Sequence, residues 1–255
     1  MKSASSSNLL IGAVVVVFFF IGTLFNGEDS PEPEPRYTTS SSTQSPTPSP
    51  TLEPTPSPSP EAPQPASSPA LSALANVPIK GRAPKTGYER DLFATDWDYS
   101  FGCDMRNKIL RRDFSEFNLR SGSTCIVETG VLQDPYTGEA ISFQRGVGTS
   151  NAVQIDHVVS LSDAWQKGAQ QLTSDQRYAL YNDPLNLLAV SGPANSQKSD
   201  SDAASWLPAN KGYRCAFVAR QVAVKLSYNL WMTHAEFDTI ASILSSCPDQ
   251  SLPTR

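Results

Sequence analysis

Histidine is scarce in this chain, with two residues among 255, and cysteine is almost as rare, with four. None of the cysteines belongs to a Cys-x-x-Cys pair. Structural zinc sites normally combine such pairs with histidines at short, fixed spacings. The sequence therefore argues against a zinc-stabilised domain, and each histidine that is present needs its own explanation.

The C-terminal part of the chain also lacks an excess of charge. Residues 77–255 contain 18 Lys and Arg against 19 Asp and Glu. The formal net charge of −5 for the whole chain therefore comes mostly from the N-terminal part. Nucleic-acid-binding domains are more often strongly basic, so composition alone gives no sign of one. An enzyme with a local basic groove is compatible with this balance.

Aliphatic side chains are rare in residues 30–70, which are rich in Pro, Ser, Thr and Glu and make up most of the segment 28–76. Such a segment cannot bury enough apolar surface to offset its chain entropy, and its prolines favour an extended conformation. We predict a disordered stalk that holds a domain away from a membrane or cell wall. A proline-rich ligand for another domain is the alternative.

A leader is predicted over residues 1–27. Residues 9–25 form an uncharged apolar run close to the length of a membrane-spanning helix. Lys2 precedes the run, whereas Glu28 and Asp29 follow it, a bias that favours a cytoplasmic N-terminus and an exported C-terminal part. The protein is therefore predicted to be extracellular, either anchored in the membrane through this run or secreted after cleavage of a signal peptide.

All four cysteines, Cys103, Cys125, Cys215 and Cys247, lie in the predicted domain over residues 77–255. An even number of widely spaced cysteines in an exported chain indicates two disulfides. Sequence order suggests Cys103–Cys125 and Cys215–Cys247, although three pairings are possible.

A basic helix is predicted from about residue 103 to residue 112. Arg106, Lys108, Arg111 and Arg112 crowd this segment. They form either a solvated face or a surface that contacts the phosphates of a nucleic acid, because Lys and Arg supply the sequence-independent part of such affinity.

Strand signals follow the basic helix. Residues 124–133 are predicted to be a strand, and residues 134–143 combine a Pro–Gly turn signal with a second strand, which together indicate a hairpin. Two amphipathic helices are predicted at the end of the chain. The mixture predicts an α+β fold.

Five polar residues form an ordered series between these segments. A strand ends in Asp156 and His157, a second strand begins near Asn186, and a helix that Pro193 opens carries Asn195 and Lys198. The two helix residues are three positions apart and therefore lie on one face. Taken alone, His157 would be a buried histidine that forms a hydrogen bond with a neighbouring residue. The series as a whole favours a catalytic role.

This series resembles the ββα-metal fold of HNH endonucleases. It is most similar to the HNH domain at the C-terminus of Gmr-type modification-dependent restriction endonucleases and of exported bacterial proteins. The matching segments are IDHVVSLSDAW, NDPLNLLAVSGPANSQKSD and, upstream, CDMRNKILRRD and DPYTG. The resemblance implies a ββα-metal core with added helices and an N-terminal hairpin, stapled by disulfides.

The resemblance also implies a role for each residue of the series. His157 would act as general base, and Asn186 would pin the loop after the first strand and orient the histidine ring. Asp156 and Asn195 would hold a divalent metal, most simply Mg²⁺, with Mn²⁺ as the alternative. Lys198 would contact a substrate phosphate. Arg106, Arg111 and Arg112 are candidates for further phosphate contacts because of the basic character of their helix, not because of the resemblance.

The implied activity is hydrolysis of phosphodiester bonds in DNA, with RNA as the alternative substrate. Asn195 stands where the common motif has its last histidine, and this exchange favours harder metals over zinc. Two other functions are compatible with the sequence: a catalytically inactive, surface-displayed binding or adhesion module on the same fold, and an enzyme acting on another phosphate or a cell-wall ester.

Overall fold

Residues 68–255 are the part of the chain that the computed structural model describes. The predicted leader over residues 1–27 and the predicted stalk up to residue 67 lie outside it. Within residues 68–255, no helix combines the length and the apolar character needed to cross a membrane.

Short strands alternate with helices along the described residues. The helices are α1 (Pro69–Leu74), α2 (Met105–Asp113), α3 (Leu161–Gln166), α4 (Ser174–Asn182), α5 (Gly192–Lys198), α6 (Arg214–Ser227) and α7 (His234–Ser245). The strands are β1 (Tyr99–Ser100), β2 (Cys103–Asp104), β3 (Phe114–Leu119), β4 (Val127–Gln133), β5 (Ala140–Gln144), β6 (Val153–His157) and β7 (Leu187–Ser191). They form three small sheets with the orders β1–β2, β3–β4–β5 and β6–β7. The predicted α+β class is confirmed.

Strands β6 and β7 and helix α5 form the ββα unit that the sequence predicts. The two strands are antiparallel, and His157 at the end of β6 lies opposite Leu187 at the start of β7. Helix α5 follows β7 directly, because the Ser191 side chain caps it by accepting from the Ala194 amide and a proline occupies its first turn. All five residues of β7 are buried, so this unit lies in the core.

The predicted hairpin corresponds to β4 and β5. Its turn is fixed by Asp134, whose carboxylate accepts from the backbone N–H groups of Tyr136 and Thr137. The same carboxylate accepts from the Ser191 amide at 3.0 Å, so the turn is fastened to the start of α5. Strand β3, which was not predicted, pairs along the other edge of β4.

Helix α1 lies in a segment that the sequence predicts to be disordered stalk, so that prediction is wrong for residues 68–76. Ser68 caps the helix by accepting from the Leu71 amide at 3.0 Å. Ala70 and Leu74 are four residues apart, share one face and are fully buried against α6 and α7. The domain therefore begins before residue 77, because a few apolar residues within a Pro- and Ser-rich stretch are enough to dock a short helix.

The two disulfides join Cys103 to Cys125 and Cys215 to Cys247, which is the pairing that sequence order suggests. The first disulfide links β2 to the loop before β4, and the second links α6 to the loop after α7. Disulfides of this kind restrict the unfolded chain and are typical of proteins in oxidising compartments.

A cluster of ion pairs, buried except for Arg82, connects α3, α6 and α7. Its members are Arg82, Asp163, Lys167, Asp202, Lys225 and Glu236. The Lys167 ammonium lies at its centre, 2.8 Å from Asp163, 2.7 Å from Asp202 and 2.6 Å from Glu236. Because α3, α6, α7 and the loop after α5 all contribute, the cluster fixes the positions of these elements relative to one another.

Candidate active site

A cleft of about 170 Å³ opens where the end of β6 faces α5. Six polar residues line it: Arg90, Asp156, His157, Ser160, Asn195 and Ser199. The structure therefore brings together three of the five residues of the predicted series. The other two, Asn186 and Lys198, are fully buried behind the cleft.

The imidazole of His157 is held in one orientation. Its Nε2 lies 2.9 Å from the backbone carbonyl oxygen of Tyr181. Because a carbonyl only accepts, Nε2 carries the proton, and Nδ1 of the neutral ring is left as the acceptor. The indole of Trp97 stacks on the imidazole, with ring centroids 5.8 Å apart and planes inclined by 12°.

The environment of His157 keeps its ring uncharged. Burial lowers the pKa of His157 to about 3, and the positive charge of Arg90 adds to this effect. The hydrogen bond to the Tyr181 carbonyl opposes the change but does not outweigh it. At neutral pH the ring is therefore deprotonated and able to accept a proton.

Asn186 fixes the chain immediately after His157. Its Oδ1 accepts from the Val159 amide at 2.8 Å, and its Nδ2 donates to the Val159 carbonyl at 3.2 Å. Its own carbonyl accepts from the Val158 amide at 2.8 Å. These three bonds connect the start of β7 to the loop that leaves β6.

Both carboxylate oxygens of Asp156 are hydrogen-bonded. The Lys198 ammonium donates to Oδ1 at 2.9 Å, and the Tyr136 hydroxyl donates to Oδ2. Burial raises the pKa of Asp156, whereas the bonds from Lys198 and Tyr136 lower it. The turn of the β4–β5 hairpin and the end of α5 thus meet on this side chain.

Lys198 occupies a different position from the predicted one. Its side chain is fully buried, and its ammonium donates to the Asp156 carboxylate and, at 2.9 Å, to the His157 carbonyl. A buried ammonium with these two partners does not reach a phosphate in the cleft. The predicted phosphate contact by Lys198 is therefore wrong, because its side chain points into the core and not into the cleft.

Asn195 is half-buried on the wall of the cleft. Its Nδ2 donates to Gln154 Oε1 at 2.8 Å, which orients the amide. Asp156 and Asn195 thus line the same cleft.

The donor chemistry of the cleft fits a hard cation. Among residues 68–255, no three or more His, Cys, Asp or Glu side chains are grouped to hold a metal. The oxygens of Asp156 and Asn195 are the kind of ligand that Mg²⁺ accepts while it keeps several waters and binds phosphate oxygens. The same pair is a poor zinc site, since zinc prefers nitrogen and sulfur ligands.

The arginines of α2 mainly tie that helix to neighbouring backbone. Arg106 donates to the Val153 carbonyl at 3.0 Å, and Arg112 donates to the Leu187 carbonyl at 2.7 Å. Arg111 donates to the Thr124 carbonyl at 3.2 Å. These three residues do not line the cleft, so a contact between them and a substrate stays a prediction.

Tyr136, Arg90 and Trp97 are among the residues of the site that were not singled out from the sequence. Tyr136 belongs to the DPYTG segment, which carried part of the resemblance, so its position could have been suspected. Arg90 and Trp97 lie in a loop segment without periodic pattern, and only tertiary packing brings them to His157.

The sequence is similar to one protein family and to a secreted protein. The C-terminal domain of GmrSD restriction endonucleases matches residues 104–243, more than half of the chain. An "Uncharacterized secreted protein" of Arthroderma benhamiae (strain ATCC MYA-4681 / CBS 112371) is 34% identical over 183 residues, which cover 71% of this chain and 86% of that protein. No solved structure matches the chain.

Proposed function

Because the chain belongs to the family of the C-terminal domain of GmrSD restriction endonucleases, we propose that it is an HNH-type, metal-dependent endonuclease acting on DNA. One observation carries the proposal: His157, whose Nδ1 is left as an acceptor, lines the same cleft as Asp156 and Asn195. A base beside two oxygen ligands is the arrangement that metal-assisted hydrolysis of a phosphodiester needs.

His157 is the general base in this proposal. Its Nδ1 takes the proton from the attacking water, and the bond from Nε2 to the Tyr181 carbonyl stabilises the imidazolium that results. A pKa of about 3 makes His157 a weak base in the free protein. A bound phosphodiester brings a negative charge next to the ring and raises that pKa, so the base becomes stronger when substrate is present.

Asp156 and Asn195 would hold the divalent cation, Mg²⁺ or Mn²⁺. The cation supplies Lewis-acid stabilisation of the charge on the phosphoryl oxygens and on the leaving alkoxide. Lys198 and Tyr136 do not take part in the chemistry. Each donates a hydrogen bond to one oxygen of the Asp156 carboxylate and so fixes its orientation. Asn186 fixes the loop that follows the base.

The place of action is proposed to be outside the cytoplasm. Two disulfides and a relative named as a secreted protein support this. The apolar run over residues 9–25 would either anchor the protein in the membrane or serve as a cleaved signal. DNA is the proposed substrate on the strength of the family, with RNA as the alternative that the assay below separates.

The test is cleavage of supercoiled plasmid by the full-length chain, purified with its disulfides intact. The reaction is run with Mg²⁺, with Mn²⁺ and with EDTA, beside labelled RNA and beside Asn195→Ala. We expect nicking that needs a divalent cation and that falls strongly in the variant. Titration calorimetry with Mn²⁺ should show weaker binding to Asn195→Ala than to the wild type.

Two outcomes contradict the proposal. Cleavage that persists in EDTA would remove the metal from the mechanism. A folded chain that binds DNA without cleaving it under any of these conditions would instead support a catalytically inactive binding module.

A further inference from the structure

Arg90 differs from every other arginine in residues 68–255. The guanidinium groups of all the others donate at least one hydrogen bond within this part of the chain; these are Arg82, Arg106, Arg111, Arg112, Arg120, Arg145, Arg177, Arg214, Arg220 and Arg255. The Arg90 guanidinium donates none to these residues and has no carboxylate partner among them. Its N–H donors are therefore available to a ligand.

The backbone of Arg90 is nonetheless firmly placed. Phe93, three residues later, is buried in the core, and Arg177 donates to the Leu92 carbonyl at 3.0 Å. The guanidinium lies over the ring of Tyr181, 5.4 Å from its centroid. The same ring lies 4.9 Å from the imidazole of His157. Arg90 is thus held at the mouth of the cleft, next to the proposed base.

The positive charge of Arg90 has no negatively charged partner among the residues that line the cleft. Among the residues that line it, the titratable side chains are those of Arg90, Asp156 and His157, and the His157 ring is neutral. The Asp156 carboxylate is already paired with Lys198. The remaining charge of Arg90 complements a single phosphodiester group, which carries one negative charge.

We propose that Arg90 binds the phosphodiester group that is cleaved in this cleft. The planar guanidinium fork can donate two parallel hydrogen bonds to two phosphate oxygens, which a lysine cannot do. The inference rests on the proposed function and adds to it a substrate ligand from outside the family match over residues 104–243. It also gives the loop segment before α2 a role in the site.

The experiment separates binding from cleavage. Affinity of the full-length chain for a short fluorescein-labelled DNA duplex is measured by anisotropy in EDTA over a series of salt concentrations. The variants are Arg90→Ala and Arg90→Lys. Arg120→Ala is the matched control, because Arg120 is also exposed and its removal changes the net charge equally, but it pairs with Glu128 away from the cleft. Thermal melting checks that each variant is folded.

We expect Arg90→Ala to lose roughly tenfold in affinity, as for one charge-assisted hydrogen-bonded contact, and Arg120→Ala to lose little. The slope of log K against log salt should become shallower by about one unit in Arg90→Ala, because one phosphate contact is lost. Arg90→Lys should keep the slope and recover only part of the affinity.

The inference is overturned if the wild type does not bind DNA in EDTA, or if Arg90→Ala and Arg120→Ala bind alike. If the wild type cleaves DNA but Arg90→Ala binds DNA as tightly as the wild type, the proposed function holds and Arg90 has no part in it. Loss of affinity in Arg90→Ala without cleavage by the wild type would support Arg90 as a phosphate ligand and refute the endonuclease.

Discussion

The ammonium of Lys198 lies 2.9 Å from Oδ1 of Asp156, and both side chains are buried at the floor of the cleft. Neither charge is stable there alone, because an unpaired charge in a protein interior costs several kcal/mol. The same ammonium donates to the His157 carbonyl, so one residue at the end of α5 holds both members of the Asp156–His157 pair. Lys198 therefore acts as a positioning residue.

Replacing Lys198 by methionine should destabilise the fold strongly. The change leaves the Asp156 carboxylate buried without its partner, and removal of one member of a buried pair costs about 3–5 kcal/mol. Urea denaturation of Lys198→Met measures this loss. Lys211→Met, which changes an exposed lysine, should stay close to the wild type.

A double variant separates the effect of the Lys198–Asp156 ion pair on stability from the effect of packing by the Lys198 side chain. In Lys198→Met combined with Asp156→Asn no charge is left unpaired, so part of the lost stability should return. If the double variant is as unstable as the sum of both single changes, the ion pair does not explain the burial of Lys198.

Asn186→Ala should loosen the loop after His157. The change removes the two side-chain bonds to Val159, and the buried amide and carbonyl left without partners cost about 1–3 kcal/mol. Hydrogen exchange of the Val159 amide should accelerate beyond what the change in global stability explains. Asn118→Ala, at an exposed position on β3, is the control and should leave that exchange unchanged. Unaltered protection in Asn186→Ala would argue against this role.

The stability of the fold should fall in mild acid because of His157. The folded protein holds the ring neutral with a pKa of about 3, whereas the unfolded chain takes up a proton near the ordinary value of about 6.5. The full contribution is therefore present above about pH 6.5 and is lost as the pH falls toward 3, by up to about 1.4 kcal/mol per pH unit.

His157→Gln isolates this effect, since glutamine does not titrate. The free energy of unfolding, measured from about pH 7 to about pH 4, should decline less steeply in the variant than in the wild type. His234→Gln changes the other histidine, which is exposed, and should keep the wild-type slope. Equal slopes for the wild type and His157→Gln would mean that His157 is not buried in its neutral form.

The parts of the fold that the sequence predicts are those that local patterns determine. Asp156 and His157 end an alternating strand, and Pro193 opens the helix that carries Asn195, so the ββα order follows from neighbouring residues. The disulfides pair cysteines that are consecutive in sequence, which is the simplest arrangement for an exported chain.

The parts that sequence reasoning misses depend on tertiary packing. The spacing of Asn195 and Lys198 places both on one helix face, but it does not say which of them faces the core. Arg90 and Trp97 lie about 60 residues before His157 in the chain, and no periodic pattern in the sequence predicts their contacts with it. Helix α1 is hidden in a segment whose composition is typical of disorder.

The central claim, that His157 is the base of a metal-dependent endonuclease, is tested most directly by plasmid cleavage with Mg²⁺. The full-length wild type is compared with His157→Ala and with His234→Ala, which removes the exposed histidine outside the cleft. We predict a loss of roughly 10²–10⁴-fold in rate for His157→Ala, the usual contribution of a general base, and wild-type rates for His234→Ala. A folded His157→Ala variant that cleaves as fast as the wild type would contradict the account.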